Sequence, residues 1–164
     1  MIGPEPFGPG RHRTEAFDCG DAALNDWLRR RASQNMSGGG SVTWVVTDDS
    51  HRVIGYYAAA TGSVGHHSAS GRARRNQPDP LPSIVLGRLA VDRQHQAAGL
   101  GAALLKHFLT VVLEVAGRVG VRIVLVHAKG REARGFYERY GFVPSSVDEF
   151  VLHLLVEDLR RSLT

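Results

Sequence analysis

The stretch Leu86-Gly87-Arg88-Leu89-Ala90-Val91-Asp92 runs directly into Gln96-Ala97-Ala98-Gly99-Leu100-Gly101-Ala102-Ala103-Leu104-Leu105, joining an apolar strand to a glycine-punctuated helix start. The first amides of a helix have no intrahelical partner and lie at the positive end of its dipole. Glycines beside them let a ligand approach the backbone, so these residue types at this spacing suit a pyrophosphate. The dinucleotide fingerprint needs Gly-x-Gly-x-x-Gly with an acidic residue about 20 positions on, and a P-loop needs Gly-x-x-x-x-Gly-Lys-Ser/Thr. Neither is in the chain. Two readings of Gln96-x-x-Gly99-x-Gly101 stay open at this point: a different phosphate loop, or a helix simply reached through flexible glycines.

Proton chemistry has one attractive candidate. Tyr137 stands in Phe136-Tyr137-x-x-x-Gly141-Phe142, and a tyrosine of ordinary pKa, about 10, is protonated at neutral pH and can donate. Taken alone, it reads better as a helix tyrosine packing beside Phe136. Asp79, Asp92, Glu132 and Glu138 are the nearest acidic residues by sequence, and each has an ordinary explanation as loop, turn or helix-surface charge. Cys19, the one cysteine, offers no intrachain disulfide and no metal-site spacing. It reads as a small structural thiol at a helix start, since no partnered His or Asn motif surrounds it.

The elements that must position these groups follow an α/β order. Asp21 can cap a helix whose Leu24, Trp27 and Leu28 form one apolar face. Gly38-Gly39-Gly40 breaks the chain, and residues 42–47 and 52–60 read as strands joined through Asp48-Asp49-Ser50-His51. Residues 84–91 form a buried central strand. A helix over 99–119 places Leu104, Phe108, Val111, Val112 and Val115 on one stripe, with Lys106, Thr110 and Glu114 opposite, and Gly120 ends it. A strand over 121–127, a helix over 131–140 and a strand over 150–156 complete the order. No repeat or second domain is visible, so residues 1–164 read as a single domain.

Composition agrees. A chain of 164 residues with 43% hydrophobic content can bury its own core. No apolar run approaches the ~20 residues of a membrane helix, and Met1–Gly10 lacks the apolar region of a secretory signal, so the expected location is cytoplasmic. The formal charge of +4 favours polyanionic partners. Residues 66–82 read as a long connection carrying His66, His67, Arg72, Arg74 and Arg75, either a solvated loop or a cationic arm for phosphates. Arg29-Arg30-Arg31 is a second basic cluster or a complement to its helix dipole.

Together, Gln96-x-x-Gly99-x-Gly101 after an apolar strand and Phe136-Tyr137-x-x-x-Gly141-Phe142 after a β-branched run resemble the GNAT N-acetyltransferases. Phe17-Asp18-Cys19-Gly20, Leu24, Trp27-Leu28, Val53-Ile54-Gly55-Tyr56-Tyr57 and Gly62-Ser63-Val64 look like one branch of them, the acetyltransferase toxins of bacterial toxin–antitoxin modules. The resemblance spans residues 12–155.

This resemblance implies a GNAT fold: one mixed central sheet with a splayed, bulged strand, flanked by helices. It implies acetyl-CoA as co-substrate, its pantetheine paired along Leu89, Ala90 and Val91. The pyrophosphate would sit on the amides of Gln96, Ala97, Ala98, Gly99, Leu100, Gly101 and Ala102. Ala97 and Ala98 stand where relatives often show glycine and a basic residue, a change that keeps the backbone donors and removes a charge contact. Tyr137 would lie near the CoA sulfur as general acid, and a strand amide at or near Leu89 would meet the oxyanion. No metal is implied.

For the acceptor, an α-amine has a pKa near 7.7–8.0, lowered further by an adjacent ester, whereas lysine sits at about 10.4 and needs more help. That favours aminoacyl-tRNA, whose α-amine once acetylated cannot elongate a chain. The resemblance carries RNA contact onto Arg72, Arg74, Arg75 and Arg88, and implies a homodimer and an antitoxin of ribbon-helix-helix type. Trp27 and Trp44 read as packing residues rather than stacking platforms. The alternatives are acetylation of a small amine, a peptide or a protein lysine, and a non-catalytic module that represses transcription with its antitoxin.

Overall fold

A computed structural model describes residues 1–162. The strands are β1 (Ile2–Pro6), β2 (Val42–Thr47), β3 (Val53–Val64), β4 (Leu81–Val91), β5 (Ile123–His127), β6 (Val143–Pro144) and β7 (Val151–Leu155). They form one seven-stranded sheet in the order β1-β2-β3-β4-β5-β7-β6. The sheet is mixed: β4 and β5 run parallel, whereas β1 with β2, β2 with β3, β5 with β7 and β6 with β7 run antiparallel. The helices are α1 (Ala22–Arg30), α2 (Ala32–Ser37), α3 (Gly71–Arg74), α4 (Leu100–Ala116), α5 (Arg131–Glu138) and α6 (Val156–Ser162). Among the described residues no helix is long and apolar enough to cross a membrane. The chain groups into two compact units, the first from residues 1–60 and 87–108, the second from 61–86 and 109 onward.

In the first unit, Asp21 caps α1 as expected, its carboxylate accepting the Ala23 and Leu24 amides. Trp27 and Leu28 enter a core with Phe7, Phe17, Ala32, Val45, Val53, Tyr56, Ala58 and Ala90, and Leu24 packs against it. β1 and α2 were not expected from the sequence. β1 contains Pro4 and Pro6, which an edge strand tolerates because one side needs no donors. The expected strand over 52–60 is longer, running through Gly62-Ser63-Val64 to the end of β3.

The second unit corrects the long connection over 66–82. It holds a 3₁₀ turn at His66–Ser68, then α3 capped by Ser70, and β4 begins at Leu81 rather than Ile84. Ala69 and Ala73 are small enough to enter a core with Val64, Leu81, Ile123 and Leu155. The Arg122 guanidinium fastens the segment by donating to the carbonyls of Ala73 and Arg72, both at 2.9 Å. At the other end of this unit the expected strand over 150–156 stops at Leu155, and Val156 starts α6, with Glu157 and Asp158 at its positive end and Arg160 and Arg161 in its last turn. Helix α4 ends at Ala116, earlier than Val119, because Gly117 follows. Leu104, Phe108 and Val112 of the expected stripe are buried, Val111 and Val115 only half so, and Lys106, Thr110 and Glu114 are exposed.

Candidate active site

The turn between β4 and α4 begins at the strand end carrying Leu89, Ala90 and Val91. Ala90 is buried and its neighbours are half-buried. The parallel register of β4 with β5 runs from Ser83↔Ile123 to Leu86↔Val126, and β4 continues past it through Gly87–Val91. Backbone polar groups of that stretch have no register partner in β5. Ala97 and Gly99 both adopt positive φ, 66° and 83°. At Gly99 an added Cβ would meet nothing within 4 Å, so it is the left-handed backbone and not crowding that calls for glycine. The Gly99 carbonyl accepts the Ala103 amide at 3.1 Å and opens the α4 ladder. The amides of Leu100, Gly101 and Ala102 precede that first rung and sit at the dipole's positive end, as anion binding requires.

This turn is held by polar side chains. Asp92 accepts the Asp18 amide at 3.1 Å and the Gln94 amide at 3.0 Å. Its own amide donates to the Ile54 carbonyl at 2.8 Å. The Gln96 carboxamide donates to the carbonyls of Val91 (2.9 Å) and Cys19 (3.2 Å). Asp92 is thus a structural acceptor, not an available base. Sequence reasoning missed Asp18 and also Asn25, which accepts the Cys19 amide at 2.9 Å and donates to the Asp18 carboxylate at 3.1 Å, although Asp18 lies inside the Phe17–Gly20 pattern that could have signalled it.

Tyr137 lies in α5 and is only 6% exposed. Helix α5 closes with a Schellman motif: the Phe142 amide donates to the Tyr137 carbonyl at 3.3 Å, and the Gly141 amide to that of Glu138 at 3.1 Å. Gly141 takes φ 93° at the left-handed position. The reversal brings the Phe142 ring edge-on to Tyr137 at 5.7 Å, with Phe136 edge-on at 5.2 Å. This is the physical content of Tyr-x-x-x-Gly-Phe: a tyrosine, the glycine that ends its helix, and the ring folded back upon it. Burial pushes the Tyr137 phenol well above its ordinary value, so it remains a proton donor throughout the neutral range.

The four arginines differ. Arg72 is held by Asp158 through two bonds of 2.8 and 2.5 Å and by Glu157 at 3.0 Å. Arg74 donates to the His66 carbonyl at 3.2 Å, and Arg75 is exposed. Arg88 lies 4.3 Å over the Trp27 ring and, among the described residues, has no carboxylate partner. Trp27 is buried and stacked on Tyr56, and Trp44 is stacked on Tyr57, so both are packing residues. Arg29 reaches the Phe17 carbonyl at 2.6 Å rather than serving only its helix dipole. Among the acidic residues, Asp79 accepts the His66 amide, Glu138 pairs with Arg134, and Glu132 is exposed in the first turn of α5. Desolvation raises the Cys19 thiol pKa, which suits a structural group. Among the described residues no cluster of metal-ligating side chains is present.

In the first unit a glycine turn follows a strand that outruns its parallel partner, and in the second a buried tyrosine precedes the glycine that closes α5; both features belong to one class of protein, the acyltransferases. The acetyltransferase (GNAT) domain matches residues 39–144, and the chain belongs to that family. A tRNA-acetylating toxin of Mycobacterium tuberculosis is 47% identical over 145 residues, covering 88% of this chain and 87% of that protein. The solved structure of AtaT complexed with acetyl-methionyl-tRNAfMet superposes with a TM-score of 0.90 at 26% identity, covering 98% of both chains. A tyrosine-to-phenylalanine AtaT toxin bound to the C-terminus of the antitoxin AtaR and acetyl-CoA gives a TM-score of 0.83 at 26% identity, covering 98% of this chain and 96% of that one.

Proposed function

We propose that this acetyltransferase is a toxin that moves the acetyl group of acetyl-CoA onto the α-amine of aminoacyl-tRNA and so stops translation, residues 1–164 acting as a single domain. The observation that carries the reading is the 47% identity, over 88% of the chain, to a tRNA-acetylating toxin. In this reading the amides of residues 96–102 hold the pyrophosphate and Leu89, Ala90 and Val91 pair with pantetheine. The neutral α-amine attacks the thioester carbonyl, whose oxyanion a strand amide near Leu89 receives. The C–N bond forms, the C–S bond breaks, the departing thiolate takes the Tyr137 proton, and the amine's surplus proton leaves to water. Tyr137 then recovers its proton from solvent. No general base is required, which agrees with the ordinary engagements of Asp79, Asp92 and Glu138.

Arg88, Arg75 and Arg74 offer donors to tRNA phosphates, while Arg72 contributes less because two carboxylates already occupy it. The toxin works in the cytoplasm, where charged tRNA is found, as a homodimer restrained by a ribbon-helix-helix antitoxin. Incubation with labelled acetyl-CoA and a pool of charged tRNA tests the reading, alongside deacylated tRNA, peptides and polyamines. Label on charged tRNA alone, released with the aminoacyl bond, is expected. Label on peptides or polyamines with none on tRNA would retain the acetyltransferase and remove the toxin.

A further inference from the structure

Gln96 begins the phosphate turn, yet its side chain is not placed to serve a phosphate. A carboxamide has two N–H donors, and the nitrogen of Gln96 already faces two backbone carbonyls, Val91 at 2.9 Å and Cys19 at 3.2 Å. What remains is its oxygen, an acceptor that an anion repels. The bond to Val91 closes the turn upon the end of β4. The bond to Cys19 fastens it to the segment Phe17–Gly20, and three more links join the same two stretches. The Arg93 amide donates to the Asp18 carbonyl at 2.8 Å, the Asp18 amide to the Asp92 carboxylate at 3.1 Å, and the Arg93 guanidinium to Asp18 Oδ2 at 3.4 Å.

The Phe17–Gly20 segment is itself rigidly seated. Phe17 is buried in the core and its carbonyl accepts the Arg29 guanidinium. Asn25, a buried polar residue of α1, accepts the Cys19 amide at 2.9 Å and donates to Asp18 Oδ1 at 3.1 Å. The Gly20 amide first, then Asn25 and Arg93, hold the Asp18 carboxyl below its usual range, so it is a stable acceptor at neutral pH. A chain of directional bonds therefore runs from α1 through Asp18 and Cys19 to Gln96 and the glycine turn it begins.

We infer that Gln96, with Asp18, Asp92 and Asn25, is a positioning latch: it presets the Ala97–Ala102 amides for the coenzyme pyrophosphate and does not itself bind it. The inference rests on the reading of this turn as the acyl-CoA site. Preorganised donors bind tightly because little ordering remains at the moment of binding.

The test uses the full chain and free coenzyme A, with no acceptor, so a failure of the tRNA reading leaves it intact. Titration calorimetry gives the Kd of wild type, Gln96→Ala, the near-isosteric Gln96→Glu, and Asn25→Ala. Hydrogen exchange of the coenzyme-free proteins follows the 97–102 amides. Gln96→Ala is expected to weaken binding roughly five- to thirtyfold, the effect of losing one or two ordinary hydrogen bonds, and Asn25→Ala about fivefold. Both should speed exchange at 97–102 before any ligand is added. Gln96→Glu, which keeps the shape, loses the donors and adds a negative charge, should weaken binding at least as much as Gln96→Ala, with the same faster exchange, and covers the case in which the smaller side chain impairs folding. Weakened binding in the Gln96 variants with unchanged exchange in the coenzyme-free protein and a normal Asn25→Ala would mean direct contact and overturn the latch. Wild-type affinity in all variants would overturn it too. A wild-type protein that fails to bind coenzyme A would instead remove the reading of the turn on which the latch rests.

Discussion

The turn from β4 to α4 and the end of α5 each contain a left-handed glycine, Gly99 and Gly141, and they are held by different forces. Around Gln96 the restraints are hydrogen bonds between side chains and backbone: the Asp92 carboxylate accepts the Asp18 and Gln94 amides, and the Gln96 carboxamide donates to the Val91 and Cys19 carbonyls. Around Tyr137 they are ring contacts with Phe136 and Phe142 and a helix-end reversal. The difference follows from the tasks proposed for the two regions. Amides aimed at a doubly charged group must be fixed in direction, which hydrogen bonds do well. A tyrosine that must keep its proton until a thiolate takes it is best surrounded by apolar rings, because desolvation disfavours its anion.

Tyr137→Phe separates the regions most sharply. Turnover should fall by about 10²–10⁴, the usual worth of a positioned general acid, while the coenzyme A Kd from calorimetry stays within about twofold. Loss of affinity with retained turnover would invert the division of labour. Next come the two glycines. Gly99 and Gly141 share positive φ, and neither Cβ would be crowded, with nothing within 4 Å at Gly99 and Leu154 Cδ1 at 3.7 Å from Gly141. Alanine at either should cost about 1–2 kcal/mol of stability in urea unfolding, the price of a left-handed backbone. Only Gly99→Ala should also weaken coenzyme A, and only Gly141→Ala should slow turnover at saturating acetyl-CoA. Equal effects on both readouts would erase the distinction.

The alkaline limb of stability gives a third test. Burial holds the Tyr137 and Tyr56 phenols above their ordinary value, so between about pH 10 and the folded-state pKa values the native state binds more protons than the unfolded chain. Their contribution is complete below about pH 10, and stability then falls with rising pH by up to about 1.4 kcal/mol per pH unit for each group. Urea midpoints from pH 8 to 11 should show a shallower decline in Tyr137→Phe, with Tyr56 supplying what remains. The smallest effect concerns RNA. Arg88→Ala should lower the salt slope of tRNA binding by about 1, as for one lost phosphate contact, while Arg72→Ala leaves it unchanged because Asp158 and Glu157 occupy that guanidinium. A slope that responds to Arg72→Ala and not to Arg88→Ala would reverse the ranking of the four arginines.

Legibility in the sequence tracked how local the cause was. Asp21 as a cap, the buried stripe of Leu104, Phe108 and Val112 and the packing of Tyr137 beside Phe136 all rest on neighbours within a few turns of chain. Residues 66–82 were misread because their anchors lie elsewhere: Ala69 and Ala73 look like loop filler until Leu81, Ile123 and Leu155 form a core around them, and Arg122 reaches them from beyond α4. Arg72 looked available because Glu157 and Asp158 are distant in sequence.

By itself the sequence determined the α/β order, the glycine turn after an apolar strand and the Tyr-x-x-x-Gly-Phe helix end, because periodicity, capping and left-handed glycines act over a few residues. Tertiary structure alone decided which polar side chains are available. The carboxamide of Gln96 was turned toward Cys19 and Val91, the Asp18 carboxylate toward Asn25 and Arg93, and Arg72 toward Glu157 and Asp158. A polar side chain's role depends on the partner that satisfies it, and that partner is brought close by packing rather than by distance along the chain.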